Sequence, residues 1–138
     1  MTKHASAYEG GCLCGAIRFR CRVGEPPSTY YCHCRMCQKA SGAPVVAWAS
    51  FPAERVEFVK GSPAWHRSSA MVMRGFCAHC GTPLVWQAET GKNQLALTLA
   101  TFDEPDQLPP KIHVWTESKM QWFAINDGLP LHPQRASN

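Results

Sequence analysis

The stretch Phe76-Cys77-Ala78-His79-Cys80-Gly81 sets two sulfurs three positions apart and closes on a glycine. A tight turn aims both sulfurs to one side, and glycine takes the strained backbone position such a turn creates. This is half of a zinc knuckle, and structural zinc takes four ligands in a tetrahedron. The missing half lies far upstream, in Gly11-Cys12-Leu13-Cys14-Gly15. Alternate side chains of an extended segment share a face, so Cys12 and Cys14 present two sulfurs together while Leu13 points away. Joined, Cys12, Cys14, Cys77 and Cys80 make a closed structural zinc site that ties the N-terminal strand to the middle of the chain. Closing so long a loop turns metal-binding free energy into folding free energy. The competing reading, a redox-active C-x2-C pair, lacks the βαβ surroundings such pairs keep.

Between these halves stands Cys32-His33-Cys34-Arg35-Met36-Cys37-Gln38. Two of its sulfurs lie on one face of an extended segment, and a helical turn over residues 35–40, closed by Gly42, brings round the third. Three protein ligands with one open position distinguish catalytic from structural zinc. Cys32, Cys34 and Cys37 are therefore the candidate catalytic group. A fourth ligand from His33, His66, His79 or His113 would instead make a second closed site. His33 alternates away from its flanking cysteines and reads as a neighbour of the site rather than a ligand. Cys21, the eighth cysteine, stands alone between Arg20 and Arg22 and reads as a small buried hydrophobe.

The rest of the chain bounds these readings. Its 138 residues, 45% hydrophobic and 17% charged, fit one globular domain with a modest core. No apolar run approaches the ~20 residues of a membrane helix. Residues 1–11 carry no apolar core behind Lys3, so they do not read as a secretory signal. A cytoplasmic setting follows, where grouped thiols stay reduced and hold metal more often than disulfides. The formal charge of +4 counts neutral thiols; seven thiolates add −7 and two zinc ions +4, which takes the formal charge from +4 to +1. With its basic residues scattered, such a chain has no strong pull on nucleic acid.

Strand character recurs at residues 16–20, 45–51, 56–59, 64–67, 71–76, 84–87, 95–99 and 112–115, with Gly or Pro between. That spacing predicts an antiparallel, mainly β domain with few short helical turns. A second helical turn is expected near residues 118–123, and the Pro-rich residues 104–110 read as a surface loop. Residues 1–7 and 131–138 read as flexible ends around a domain over 8–130.

Taken in order and spacing, Gly10 to Phe19, Cys32 to Gly42, Phe76 to Leu84, and Pro110 through Trp122 to Pro130 resemble the glutathione-dependent formaldehyde-activating enzyme family, which also includes centromere protein V. The resemblance implies an Mss4-like β fold and two Zn²⁺ per chain. The structural ion would fall on Cys12, Cys14, Cys77 and Cys80, and the catalytic one on Cys32, Cys34 and Cys37. It further implies a carbon–sulfur lyase or synthase joining a thiol, glutathione, to formaldehyde or another small aldehyde, as in aldehyde detoxification. Arg35 and Lys39 are the nearest cations in sequence for glutathione's carboxylates, and Trp122 is a candidate pocket wall. The alternative is a non-enzymatic zinc module that binds a protein partner. Nucleic-acid or cytoskeletal binding would call for a basic extension, and these residues contain none.

Overall fold

The computed structural model describes residues 6–89 and 91–136. Residues 1–5 and 137–138, parts of the ends expected to be flexible, lie outside the described residues. Among the described residues, ten strands form two sheets. Three of them, β1 (Ala7–Gly11), β2 (Arg18–Arg22) and β5 (Val56–Lys60), make a small antiparallel sheet in the order β1-β2-β5. The other seven are β3 (Ser28–Cys32), β4 (Val46–Pro52), β6 (Ala64–Ser69), β7 (Val72–Phe76), β8 (Pro83–Ala88), β9 (Gln94–Thr98) and β10 (Ile112–Val114). They run β10-β3-β4-β9-β8-β7-β6. The single α-helix among the described residues, α1 (Arg35–Ser41), follows β3.

The mainly β architecture agrees with the sequence reading, with one departure: β10 pairs with β3 in parallel. Parallel neighbours need a long crossover, and here most of the chain intervenes. Two strands went unread. β1 ends in Gly10-Gly11, which carry no apolar alternation, and β3 opens on Ser28-Thr29 straight after Pro26-Pro27. Gly10 bridges Phe102, and a Cβ there would overlap the Thr101 carbonyl oxygen and the Phe19 ring, so only glycine allows this approach. β2 begins two residues later than expected because Ile17 is bound to the cysteine turn: its amide donates to Cys12 Sγ at 3.2 Å and its carbonyl accepts from Cys12 N at 3.1 Å.

The helical turn expected near 118–123 is two tight turns instead. A 3-10 turn spans Thr116–Ser118, and the Phe123 amide donates to the Met120 carbonyl at 3.1 Å. The Pro-rich loop holds a short 3-10 turn at Pro105–Gln107 and tucks Leu108 into the core. Residues 130–134 lie along β10: the Pro130, His132 and Gln134 backbones bond to His113, Thr116 and Trp115.

The main core lies between the sheets, around Phe19, Phe51, Leu84, Leu97 and Phe102. Phe19 and Phe102 meet edge to face with ring centroids 5.0 Å apart, a favoured aromatic geometry. Cys21 is fully buried here, and burial pushes its thiol up to about 12, so it stays a neutral, inert hydrophobe. A second, smaller core joins Trp48, Ala96 and Val114 to Cys32 and Cys37. Both cysteine groups thus reach into packing, Cys12 and Cys77 in the main core and Cys32 and Cys37 in the second, while Cys14 of the four-sulfur group is exposed.

Candidate metal centres

In the first centre, the Sγ atoms of Cys12, Cys14, Cys77 and Cys80 all lie within 4.8 Å of one another. A tetrahedral ion with Zn–S near 2.3 Å sets its sulfurs about 3.8 Å apart. Cys12 and Cys14 are 3.7 Å apart and Cys14 and Cys77 are 3.9 Å apart, so the donor set fits such an ion. Each half is a turn closed by a glycine with positive φ, 80° at both Gly15 and Gly81. Backbone amides face the sulfurs, from Ile17 to Cys12 at 3.2 Å and from Cys80 to Cys77 at 3.5 Å. Thr82 links the halves: its hydroxyl accepts from the Leu13 amide at 3.1 Å and lies 3.1 Å from Cys80 Sγ. The Thr82 hydroxyl, joined by its amide, holds the Cys80 thiol down at about 5. The Ala16 amide pulls the Cys14 thiol down, but burial and then the neighbouring Cys12, Cys80 and Cys77 sulfurs together outweigh it and push it up to about 11.

The second centre forms where β3 gives way to α1. Cys32 ends β3, and Cys34 caps the helix, its Sγ accepting from the Cys37 amide at 3.3 Å. One turn on, Cys37 returns to the group, and the three Sγ atoms again lie within 4.8 Å of one another. The helix stops at Gly42, whose φ of 72° and amide bond to Gln38 at 2.8 Å close it as the sequence predicts. Hydrogen bonds with Cys32 and Cys37 hold the Cys34 thiol far down, and contacts with Cys34 and Cys37 hold Cys32 far up. One shared negative charge is what three buried thiols tolerate alone; ionising all three calls for a cation. Among the described residues no histidine or carboxylate joins this group as a further donor.

His33 points away from the sulfurs, as its position requires, yet it is fully buried rather than exposed. Its Nε2 meets His113 Nδ1 at 2.8 Å, and His113 Nε2 meets Asp127 Oδ2 at 2.8 Å. With Asp127 ionised, His113 donates to it and accepts from His33, which leaves the buried His33 Nδ1 as a lone-pair acceptor without a partner. Gln38 locks the surroundings, its Nε2 facing the carbonyls of His33, Pro44 and Ser118 at 2.8, 3.2 and 3.2 Å. Trp115, beside this group, is the sole non-glycine residue with positive φ among those described, at 58°. Such backbone strain collects where surrounding structure over-determines a site.

A cavity of about 240 Å³ runs from Cys37 and Ser41 of α1 to Gly81 of the first centre. Its walls are Val46, Trp48, Phe76, Leu84 and Val85, and its polar members include His66, Arg74 and Thr98. Arg74 Nη2 lies 3.6 Å from Cys37 Sγ. Sequence reasoning missed Arg74, because strand pairing and not sequence distance brings it there. Arg35 and Lys39 are exposed and outside this lining, Arg35 being spent on Gln38 Oε1 at 2.8 Å. Trp122 is 73% exposed and likewise not part of it.

Fold and clusters define a small β domain built on two thiolate groups able to hold metal, one closed and one set against a cavity. More particularly, the chain belongs to the glutathione-dependent formaldehyde-activating enzyme family, whose sequence pattern matches residues 7–118. Over 86 residues it is 34% identical to an uncharacterised lyase of Schizosaccharomyces pombe, a match over 62% of this chain and 61% of the yeast protein. Over 126 residues it is 27% identical to a Halomonas elongata protein provisionally described as a glutathione-dependent formaldehyde-activating enzyme, covering 85% of this chain and 80% of that one. The crystal structure of a Rhodobacter sphaeroides protein superposes with a TM-score of 0.58 at 15% identity, over 90% of this chain and 98% of that one, which supports the fold. The names these relatives carry, a lyase and a glutathione-dependent formaldehyde-activating enzyme, accord with the family whose pattern matches the chain. No helix among the described residues is long and apolar enough to cross a membrane.

Proposed function

We propose that the protein is a zinc-dependent carbon–sulfur lyase or synthase that adds a thiol, glutathione, to formaldehyde or another small aldehyde. The carrying observation is that the three-sulfur group meets a cavity at Cys37 while, among the described residues, no fourth His, Cys, Asp or Glu side chain completes it. Cys12, Cys14, Cys77 and Cys80 would hold a structural zinc ion, and Cys32, Cys34 and Cys37 a catalytic one. Zinc bound at the second group supplies a Lewis acid that keeps a substrate thiol ionised at neutral pH. The chain's own contribution is positional. Cys34 and Cys37 are fixed by the helix cap, Cys32 by its strand, and Gln38 ties the helix to the backbone at His33 and Ser118. The apolar walls exclude water, which would otherwise compete for the aldehyde carbon. In the forward direction a carbon–sulfur bond forms, the carbonyl π pair moves to oxygen, and the thiol's proton ends on that oxygen. The reverse breaks the same bond and returns thiol and aldehyde. The reading entails a reducing compartment, the cytoplasm, where these cysteines stay free.

The test is the zinc content per chain together with the rate at which glutathione and formaldehyde, or larger aldehydes, form the hydroxyalkyl thioether. Two zinc ions and an adduct rate above the uncatalysed one are expected. Two zinc ions with no acceleration for any aldehyde would sink the enzyme and favour a zinc module that binds a protein partner.

A further inference from the structure

Arg74 is a half-buried cation left without a carboxylate. Its Nε lies 3.2 Å from Ser68 Oγ and its Nη2 3.6 Å from Cys37 Sγ, and among the described residues no Asp or Glu pairs with it. Arg18, Arg20 and Arg67 each have such a partner, and Arg22 and Arg55 are spent on backbone carbonyls. A guanidinium carries five N–H donors, so two contacts leave Arg74 with capacity to spare. That capacity borders the cavity, opposite His66 in the β6–β7 register and Trp86 in the β7–β8 register. His66 also lines the cavity, where most other residues are apolar.

A cation beside an apolar wall bears a desolvation cost unless negative charge offsets it. The thiolates of the second centre supply part of that charge. The planar fork of Arg, which matches a carboxylate in two hydrogen bonds, goes unused by a single contact to sulfur. We propose that Arg74 is the receptor for a carboxylate of the thiol substrate, which makes the cavity selective for acidic thiols such as glutathione over neutral ones. The inference rests on the reading of the second centre as the place of thiol chemistry. Because Arg74 touches Cys37, a carboxylate on its fork lies beside the group that holds the substrate's sulfur, and the apolar wall takes the chain between. The rival account makes Arg74 a charge balance for the cysteines alone; its loss would then weaken metal binding and affect every thiol alike.

Calorimetry on the zinc-loaded protein separates the two, using S-methylglutathione, whose capped sulfur cannot ionise, and its dimethyl ester, which lacks both negative charges. Arg74→Met is expected to weaken binding of the acid by about 10–100-fold, the worth of a charged hydrogen-bonded pair, and to leave the ester within about twofold. The KM for glutathione should rise by a similar factor with kcat little changed. Arg74→Lys, which keeps the charge but not the fork, should fall between and supplies the folded variant if Arg74→Met does not fold. Unaltered acid binding in both variants, or equal loss for acid and ester, overturns the carboxylate receptor and leaves the glutathione reading standing. A wild-type protein that neither binds the acid nor forms adduct removes that reading and the receptor with it.

Discussion

The two cysteine groups use similar atoms in opposite ways. The four-sulfur group gathers two short turns, with Cys14 and Cys77 separated by 63 positions, and each turn is closed by a left-handed glycine and lined with amides aimed at sulfur. The three-sulfur group comes from one short stretch at a strand–helix junction, is built into a core, and opens on a cavity. Long separation makes a metal site a cross-link, because the 63 positions between Cys14 and Cys77 close a loop of nearly half the chain. Short separation closes almost no loop, so a metal there adds little to stability and is free to serve chemistry. On the proposed function, the difference teaches that the length of chain each site closes, and not donor number alone, separates a structural role from a catalytic one.

Breaking the cross-link is the largest effect available. Structural zinc sites bind with apparent free energies of about 10–16 kcal/mol, against a domain stability of about 5–15 kcal/mol. Cys77→Ser should therefore abolish the cooperative thermal transition at neutral pH and the near-ultraviolet circular dichroism. A variant that still melts cooperatively within about 2 kcal/mol of wild type would show that the cross-link is not what holds the sheets.

Cys34→Ser should do the reverse. Serine is itself a strong helix N-cap, so the bond from the Cys37 amide survives and stability falls by no more than about 1 kcal/mol. One metal ion per chain should be lost. Residues that merely support a metal ligand cost about 10–100-fold in activity when replaced, so loss of a ligand should lower adduct formation by more than about 100-fold. Metal analysis, a thermal melt and the adduct assay on one preparation decide it, and a Cys34→Ser variant that fails to fold would erase the contrast.

What could be read from the sequence follows the same divide between local and distant. All seven clustered donors were visible because sulfur spacing and adjacent glycines are local chemistry. The strands from β4 to β9 were visible because their residues are apolar and β-branched or aromatic. β1 was not, since Gly10 is explained only by Thr101 and Phe102, which pack against it from far along the chain. Arg74 was hidden because pairing with His66 and Trp86 fixes the face it takes. Alternation turned His33 away from the sulfurs correctly, yet gave no hint that His113, 80 positions on, would bury it.

That burial sharpens the comparison through pH. Burial first, then the neighbouring His113 and Lys119, hold the His33 imidazole down at about 4 against an ordinary 6.5. The unfolded chain thus takes a proton near 6.5 that the folded chain refuses until near 4. The contribution is fully present above 6.5 and is lost as pH falls from there toward 4. Between pH 7 and 5 it amounts to about 2 kcal/mol. Denaturant unfolding of wild type and His33→Gln at both pH values should show the wild type losing that much more, while thiolate protonation, common to both, cancels in the difference. Equal losses would place His33 in contact with solvent.

The smallest effect concerns what holds the closed centre besides metal. Thr82 is the only side chain among those described that hydrogen-bonds to both of its turns, through the Leu13 amide and Cys80 Sγ. Replacing its hydroxyl by a methyl in Thr82→Val keeps the shape, leaves the Leu13 amide unpaired near the surface, and removes the main influence that holds the Cys80 thiol down at about 5. Lost hydrogen bonds of this kind cost about 1–2 kcal/mol, which lowers Tm by a few degrees in a domain of this size. Both metals should remain, adduct formation should be unchanged, and chelators should strip the first centre faster. The open centre has no such bridge, since Cys32, Cys34 and Cys37 are already joined by the backbone between them. If Thr82→Val instead slows adduct formation at constant metal content, the two centres are coupled through the cavity that reaches from Cys37 to Gly81, and their division of labour is incomplete.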